Sequence, residues 1–183
     1  GLWAGGMNGL SRVLVDPAVS VFDERNGPAP GALRGFARQG STFYASVLGG
    51  LQYLAASSPA TGDPARFEPA PGTNLTMTDI ASHRDGLLFT ANGGLHQLGA
   101  DGKFRQIYSR NEDFFLVSAP EKFPERVVLG TERACLIGEL RGSTFTLLFE
   151  TNATGPIEMV RHLDDGSILL GTRGRGFWRF FPG

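Results

Sequence analysis

One short pattern returns five times along this 183-residue chain at a nearly constant interval. Residues 2–10 read Leu-Trp-Ala-Gly-Gly-Met-Asn-Gly-Leu, residues 43–51 read Phe-Tyr-Ala-Ser-Val-Leu-Gly-Gly-Leu, and residues 87–95 read Leu-Leu-Phe-Thr-Ala-Asn-Gly-Gly-Leu. Residues 127–135 read Val-Val-Leu-Gly-Thr-Glu-Arg-Ala-Cys, and residues 168–177 read Ile-Leu-Leu-Gly-Thr-Arg-Gly-Arg-Gly-Phe, with one extra residue. The small residue near the end of each copy is Gly9, Gly50, Gly94, Ala134 and Gly176, so the steps are 41, 44, 40 and 42 residues. A fixed period of this size marks an architecture of stacked units, none of which buries its apolar face alone.

Each period divides into short strands. In the third copy Met77–Ser82, Leu87–Ala91, Gly94–Leu98 and Phe104–Tyr108 read as four strands. Asp85-Gly86, Asn92-Gly93 and Asp101-Gly102 separate them, and these pairs favour tight hairpin turns because both positions accept positive φ. The last copy repeats the plan over Ile157–His162, Asp165-Gly166, Ser167–Gly171 and Gly176–Phe181. Glycine supplies 26 of the 183 residues, which suits so many turns, and no window carries a comparable 3.6-residue apolar period. Leu87 and Phe89 point to one side of their strand and Leu88 to the other, so both sheet faces need cover. Stacking sheet on sheet covers both, and fanning the stack about an axis removes its ends. The expected fold is therefore all-β: a β-propeller of four-stranded antiparallel blades.

The pattern places a partial blade at 1–22, whole blades near 33–68, 77–108 and 113–149, and a partial blade at 157–181. About four to five blades are thus present. The first unit begins inside a second strand and the last stops after a third, as expected of a segment of a larger propeller; a compact four-bladed ring is the competing count. A segment of this kind leaves apolar sheet faces and edge strands uncovered, which makes it adhesive.

The remaining chemistry narrows the function by exclusion. The 17 basic and 18 acidic side chains leave a net charge of −1, which offers nothing to nucleic acid or an anionic membrane. No apolar run reaches the roughly 18 residues of a membrane helix. His83, His96 and His162 lack metal-ligand spacing, and Cys135 reads as a small buried hydrophobe, so neither a metal nor another cofactor is expected. Acid pairs occur at Asp23-Glu24, Glu112-Asp113 and Asp164-Asp165, while Asp85 and Asp165 fall where Asp serves a hairpin turn. The turns between second and third strands share one rim with the links between blades. They carry Asn8, Asn92, Glu132, Arg133, Arg173 and Arg175, the candidate ligand-binding residues. Arg173 and Arg175 suit bidentate capture of a carboxylate or phosphate; otherwise they are solvated rim charges.

The order apolar–aromatic–apolar–Gly-Thr–x–x–Gly-Leu after an Asp-Gly hairpin resembles the two-component regulator propeller repeat. Gly130-Thr131 and Gly171-Thr172 match its Gly-Thr pair, Leu2-Trp3-Ala4-Gly5-Gly6 its aromatic strand, and Gly9-Leu10, Gly50-Leu51 and Gly94-Leu95 its Gly-Leu pair. The stretches 79–98 and 157–180 resemble the whole repeat; Ser46-Val47 and Ala134-Cys135 depart from it. The resemblance implies seven-bladed propellers in the extracytoplasmic or periplasmic sensor region of a bacterial signalling protein. Such regions stand ahead of a membrane helix and an output domain, often a histidine kinase. It implies a non-catalytic segment that binds a small ligand, carbohydrate or anionic, with neighbouring blades or a homodimer mate as its protein partners. Two rivals remain. A glycoside hydrolase or lyase on the same scaffold needs two convergent carboxylates about 5–10 Å apart. A plain interaction scaffold needs a broad apolar patch on the rim.

Overall fold

Hairpin turns set the frame. Gly86 has φ 137° and lies against the backbone of Leu98 and Gly99, so no side chain fits at that corner. Asn92 has φ 47°, the one non-glycine residue with positive φ among those described, and Gly93 follows it with φ 69°. The computed structural model describes residues 2–6, 9–13, 19–23, 25–29, 31–56, 65–152 and 155–181, with backbone alone over 2–21. Among them there are five consecutive antiparallel sheets and no helix.

The first sheet holds β1 (Leu2–Gly6), β2 (Gly9–Val13) and β3 (Val19–Phe22). The second holds β4 (Leu33–Gln39), β5 (Thr42–Val47), β6 (Gly50–Ala55) and β7 (Arg66–Pro69). The third holds β8 (Met77–His83), β9 (Gly86–Ala91), β10 (Gly94–Gly99) and β11 (Phe104–Ser109). The fourth holds β12 (Phe114–Ser118), β13 (Arg126–Thr131), β14 (Ala134–Arg141) and β15 (Thr144–Asn152), and the fifth β16 (Ile157–His162), β17 (Ile168–Thr172) and β18 (Gly176–Phe180). Every sheet is a meander in which sequential strands pair. The first strands β4, β8, β12 and β16 lie side by side at the centre, and the sheets fan out from them without closing a ring. This is a partial β-propeller, as the repeat predicts.

The apolar core sits in the seams between sheets, in four clusters. Phe22 of the first sheet packs with Phe43, Ala45 and Phe67 of the second. Leu51 of the second packs with Met77, Ile80, Leu87 and Phe89 of the third. Leu88 and Leu95 of the third pack with Phe114, Val127, Leu129 and Phe145 of the fourth, and Val128, Cys135 and Ile137 of the fourth pack with Ile157, Ile168 and Leu170 of the fifth. Neighbouring residues Leu87 and Leu88 therefore enter opposite seams, and both are fully buried. Each large side chain so buried contributes roughly 1.5–3 kcal/mol.

Polar groups stitch the same seams. The Thr78 hydroxyl donates to the carbonyl of Phe114 at 2.5 Å, and Ser82 exchanges hydrogen bonds with the Arg38 backbone at 2.8 and 3.0 Å. His83 Nε2 meets the Pro124 carbonyl at 2.7 Å, and His162 Nε2 meets the Ser118 hydroxyl at 3.0 Å. Gln97, buried in the third sheet, donates to the Gly142 carbonyl at 3.2 Å and accepts from the Ser143 hydroxyl at 2.9 Å, both in the fourth. One irregularity recurs in register. The inner strands bulge between Leu33 and Gly35, Met77 and Asp79, Phe114 and Leu116, and Ile157 and Met159. Arg34, Thr78, Phe115 and Glu158 are the extra residues.

Candidate ligand-binding rim

The turns between second and third strands pack on the links between sheets. Arg110 N, in the link after β11, donates to Gly93 O at 2.9 Å, and Arg173 N donates to Pro156 O at 3.1 Å. Leu51 N donates to the hydroxyl of Thr73, in the link after β7, at 3.3 Å. Turns and links therefore occupy one rim.

The rim candidates fare differently. Asn8 lies outside the described residues. Asn92 is exposed, and its left-handed backbone accounts for an asparagine there. Glu132 and Arg133 are exposed at the next turn, which the Thr131 hydroxyl closes by accepting from the N–H groups of Arg133 and Ala134 at 3.1 and 2.9 Å. Arg173 is committed: its Nε donates to Glu158 Oε1 at 2.5 Å. Arg175 is exposed at the same turn. The side chains of Glu132, Arg133 and Arg175 make no hydrogen bond or ion pair among the described residues.

The bulge residues escape a reading from sequence. Glu158 ties the inner strand of the fifth sheet to the rim through Arg173, while Arg34 and Phe115 are exposed at the equivalent register. Arg110 adds a fixed cation, paired with Glu150 at 2.8 Å and Glu112 at 3.6 Å. Chemically the rim offers two open guanidinium groups, Arg133 and Arg175, beside a paired one, which suits a carboxylate or phosphate better than an apolar ligand.

Four members of the acid pairs are occupied by structure, while Asp113 is exposed. Asp23 is paired with Arg25 at 2.7 Å, Glu112 with Arg110, Asp164 with Lys122 at 2.9 Å and Asp165 with Arg179. Asp165 also accepts from Ser167 N at 2.9 Å, the turn duty its Asp-Gly pair implies; Glu24 lies outside the described residues. Glu125 and Glu139 share one Arg141 nitrogen at 3.4 and 3.1 Å. Asp79 is the buried acid: desolvation raises its pKa to about 6, against the pull of the Val117 and Ile80 N–H groups. Burial pushes the Cys135 thiol up to about 12, so it stays protonated. His96 lies stacked between Phe89 and Phe104, at 5.5 and 5.2 Å. No three His, Cys, Asp or Glu side chains converge as a metal site among the described residues.

No family model matches the chain, and no curated protein does. Solved structures do. One structure of the extracellular domain of BT4673 from B. thetaiotaomicron, described as a one-component system, matches 99% of this chain and 26% of its own at TM-score 0.75 and 19% identity. A second, in which BT4673 is described as a hybrid two-component system, matches 99% and 24% at TM-score 0.66 and 18% identity. The chain thus spans about a quarter of those structures. The β-propeller domain of Myceliophteria thermophila Cps50 matches 97% of the chain and 62% of its own at TM-score 0.59 and 12% identity. Virginiamycin B lyase from Staphylococcus aureus matches 95% and 63% at TM-score 0.66 and 11% identity. These likenesses establish the fold.

Proposed function

We propose that the chain is a non-catalytic, ligand-sensing propeller segment from the extracytoplasmic part of a bacterial two-component-type signalling protein. The observation that carries this is the similarity to the extracellular domain of BT4673 across 99% of the chain, joined to a repeat that resembles the regulator propeller. Arg133 and Arg175, open on the rim, are the proposed anchors for an anionic ligand such as an acidic carbohydrate, with Asn92 and Glu132 on the same rim and Arg173 held by Glu158. Binding shifts the population of one arrangement of the propeller against its dimer mate, and the signal leaves as that rigid-body movement.

The carbohydrate-active enzyme is the second reading, since virginiamycin B lyase is an enzyme on the same fold, at TM-score 0.66. Against it, Glu125 and Glu139 are bridged by Arg141, and Asp23, Glu112, Asp164 and Asp165 serve ion pairs and turns. One titration separates the two. Uronic-acid and sulfated oligosaccharides are added to the protein, with calorimetry for binding and chromatography for cleavage. Saturable binding that leaves the oligosaccharide intact and falls on Arg175→Ala supports the sensor. Cleavage supports the enzyme, and a flat titration across the whole panel removes the anionic-ligand reading.

A further inference from the structure

The bulge at the head of each inner strand places one extra side chain at the rim end of its sheet. Phe114 stands opposite Thr131 and Ile157 opposite Thr172, so the bulge residue lies beside the turn between the second and third strands of its own sheet. In the third sheet Thr78 is spent within the fold: its hydroxyl lies 2.8 Å from Thr90 Oγ1 and 2.5 Å from Phe114 O. In the fifth sheet Glu158 reaches the turn, where Arg173 holds it at 2.5 Å. A bulge side chain and the first residue of that turn are therefore within touching distance. In the fourth sheet the same two positions are Phe115 and Glu132, and Arg133 follows.

Phe115 is 46% exposed and makes no ring contact among the described residues. Its strand β12 packs against β8 on one side and β16 on the other, so its exposure is not that of an uncovered sheet face. Phe36 and Met159, the other exposed large apolar residues on inner strands, sit on β4 and β16, the outermost of the four. Glu132 and Arg133 are exposed and make no side-chain hydrogen bond or ion pair among the described residues. Asp113, two residues before Phe115, is exposed as well. One end of the fourth sheet thus gathers an apolar ring, one free guanidinium and two acidic side chains.

We infer that Phe115, Glu132 and Arg133 form a subsite for one residue of an acidic sugar, a pyranose that bears a carboxylate. The inference rests on the sensing role proposed above and names the residue that holds the sugar ring. The pyranose lays its C–H face on Phe115, because the aromatic face is electron-rich and those hydrogens are weakly positive. Arg133 takes the carboxylate through two parallel N–H donors. The sugar hydroxyls donate to Glu132 and Asp113, whose ionised carboxyl groups accept and cannot donate. These acids select a sugar over a bare anion, since they repel phosphate and accept from hydroxyls.

The test titrates three kinds of probe into the 183-residue protein by calorimetry: uronic-acid disaccharides, their neutral counterparts with each carboxylate reduced to a hydroxymethyl group, and inorganic phosphate. The expected result is saturable binding of a uronic-acid disaccharide and none of phosphate. Phe115→Ala is expected to weaken that binding about ten-fold or more, while Phe115→Tyr keeps it within about two-fold, because the ring face is retained. Circular dichroism is expected to show both variants folded, since the side chain is exposed. Arg133→Ala is expected to erase the preference for the charged disaccharide over its neutral counterpart. Binding that Phe115→Ala leaves unchanged and Arg175→Ala abolishes overturns the subsite and leaves the sensing role standing. Phosphate that competes as well as the disaccharide overturns the choice of a sugar. No binding of any uronic-acid disaccharide overturns the subsite together with the anionic-ligand reading.

Discussion

The carboxylate of Asp79, on the inner strand of the third sheet, accepts a hydrogen bond from the backbone N–H of Val117, on the inner strand of the fourth, at 2.9 Å. The carboxylate is largely desolvated, and burial raises its pKa from 3.8 to about 6. Between those values the folded protein holds the proton more tightly than the unfolded chain, so this group's contribution to stability falls as pH rises through that range. Asn offers the same acceptor to Val117 without a charge. Asp79→Asn is therefore expected to be more stable than the wild type at pH 7, by about 1–3 kcal/mol, with the difference gone near pH 4. Urea unfolding at the two pH values checks this. Asp79→Leu, which leaves the Val117 N–H without its partner, is expected to be less stable than Asp79→Asn.

His162 acts with the opposite sign. Burial, and then the nearby Arg126 charge, lower its pKa from 6.5 to about 4. Its contribution to stability is complete above pH 6.5 and is lost as pH falls toward 4, because the unfolded chain takes up the proton first. Burial also lowers the pKa of His83 and His96, so they add to the same slope. His162→Gln is expected to flatten the thermal midpoint between pH 6.5 and 4 by about one proton's worth of linkage. A slope unchanged by the substitution would remove His162 from the acid response.

Gly138→Ala probes the seam between the third and fourth sheets, which Phe145 fills. An added Cβ would meet the Phe145 ring and lie 2.6 Å from Thr146 O, so β14 and β15 must separate or the ring must leave the seam. The expected loss is about 1–3 kcal/mol of unfolding free energy. Gly142→Ala is the contrast: nothing lies within 4 Å of its added Cβ, and its φ of 63° makes backbone strain the sole penalty.

On the rim, Arg173→Ala and Arg175→Ala are expected to separate. Arg173 is spent on Glu158 at 2.5 Å, so its loss frees an acid beside the site and weakens an anionic ligand indirectly. A Glu158→Gln, Arg173→Ala double variant is expected to recover part of that loss. Arg175 makes no such pair among the described residues, so Arg175→Ala removes a direct contact, and no change at Glu158 restores it. Calorimetry with a uronic-acid oligosaccharide at two salt concentrations checks both.

Much of the fold is legible in the chain because its turns carry distinctive pairs. Asp85-Gly86 and Asn92-Gly93 place β9 and β10 to within a residue, and the alternation of Leu87, Leu88 and Phe89 announces two buried faces. The bulges are not legible. Thr78 and Glu158 sit in strands that look evenly alternating, and pairing with the next strand alone reveals the extra residue. The Arg173–Glu158 pair is hidden for the same reason: the residues lie 15 apart in sequence and meet through the bulge.

Each of the three middle sheets is buried on both faces by its two neighbours. Methyl-resolved nuclear Overhauser spectroscopy of Leu87 and Leu88 tests it most directly. The account requires contacts from Leu87 to Ala37 or Leu51 of the second sheet, and from Leu88 to Val117 or Leu129 of the fourth. Contacts from both leucines to one sheet, or a solvent-exposed Leu88, would mean a layered sandwich and contradict the propeller.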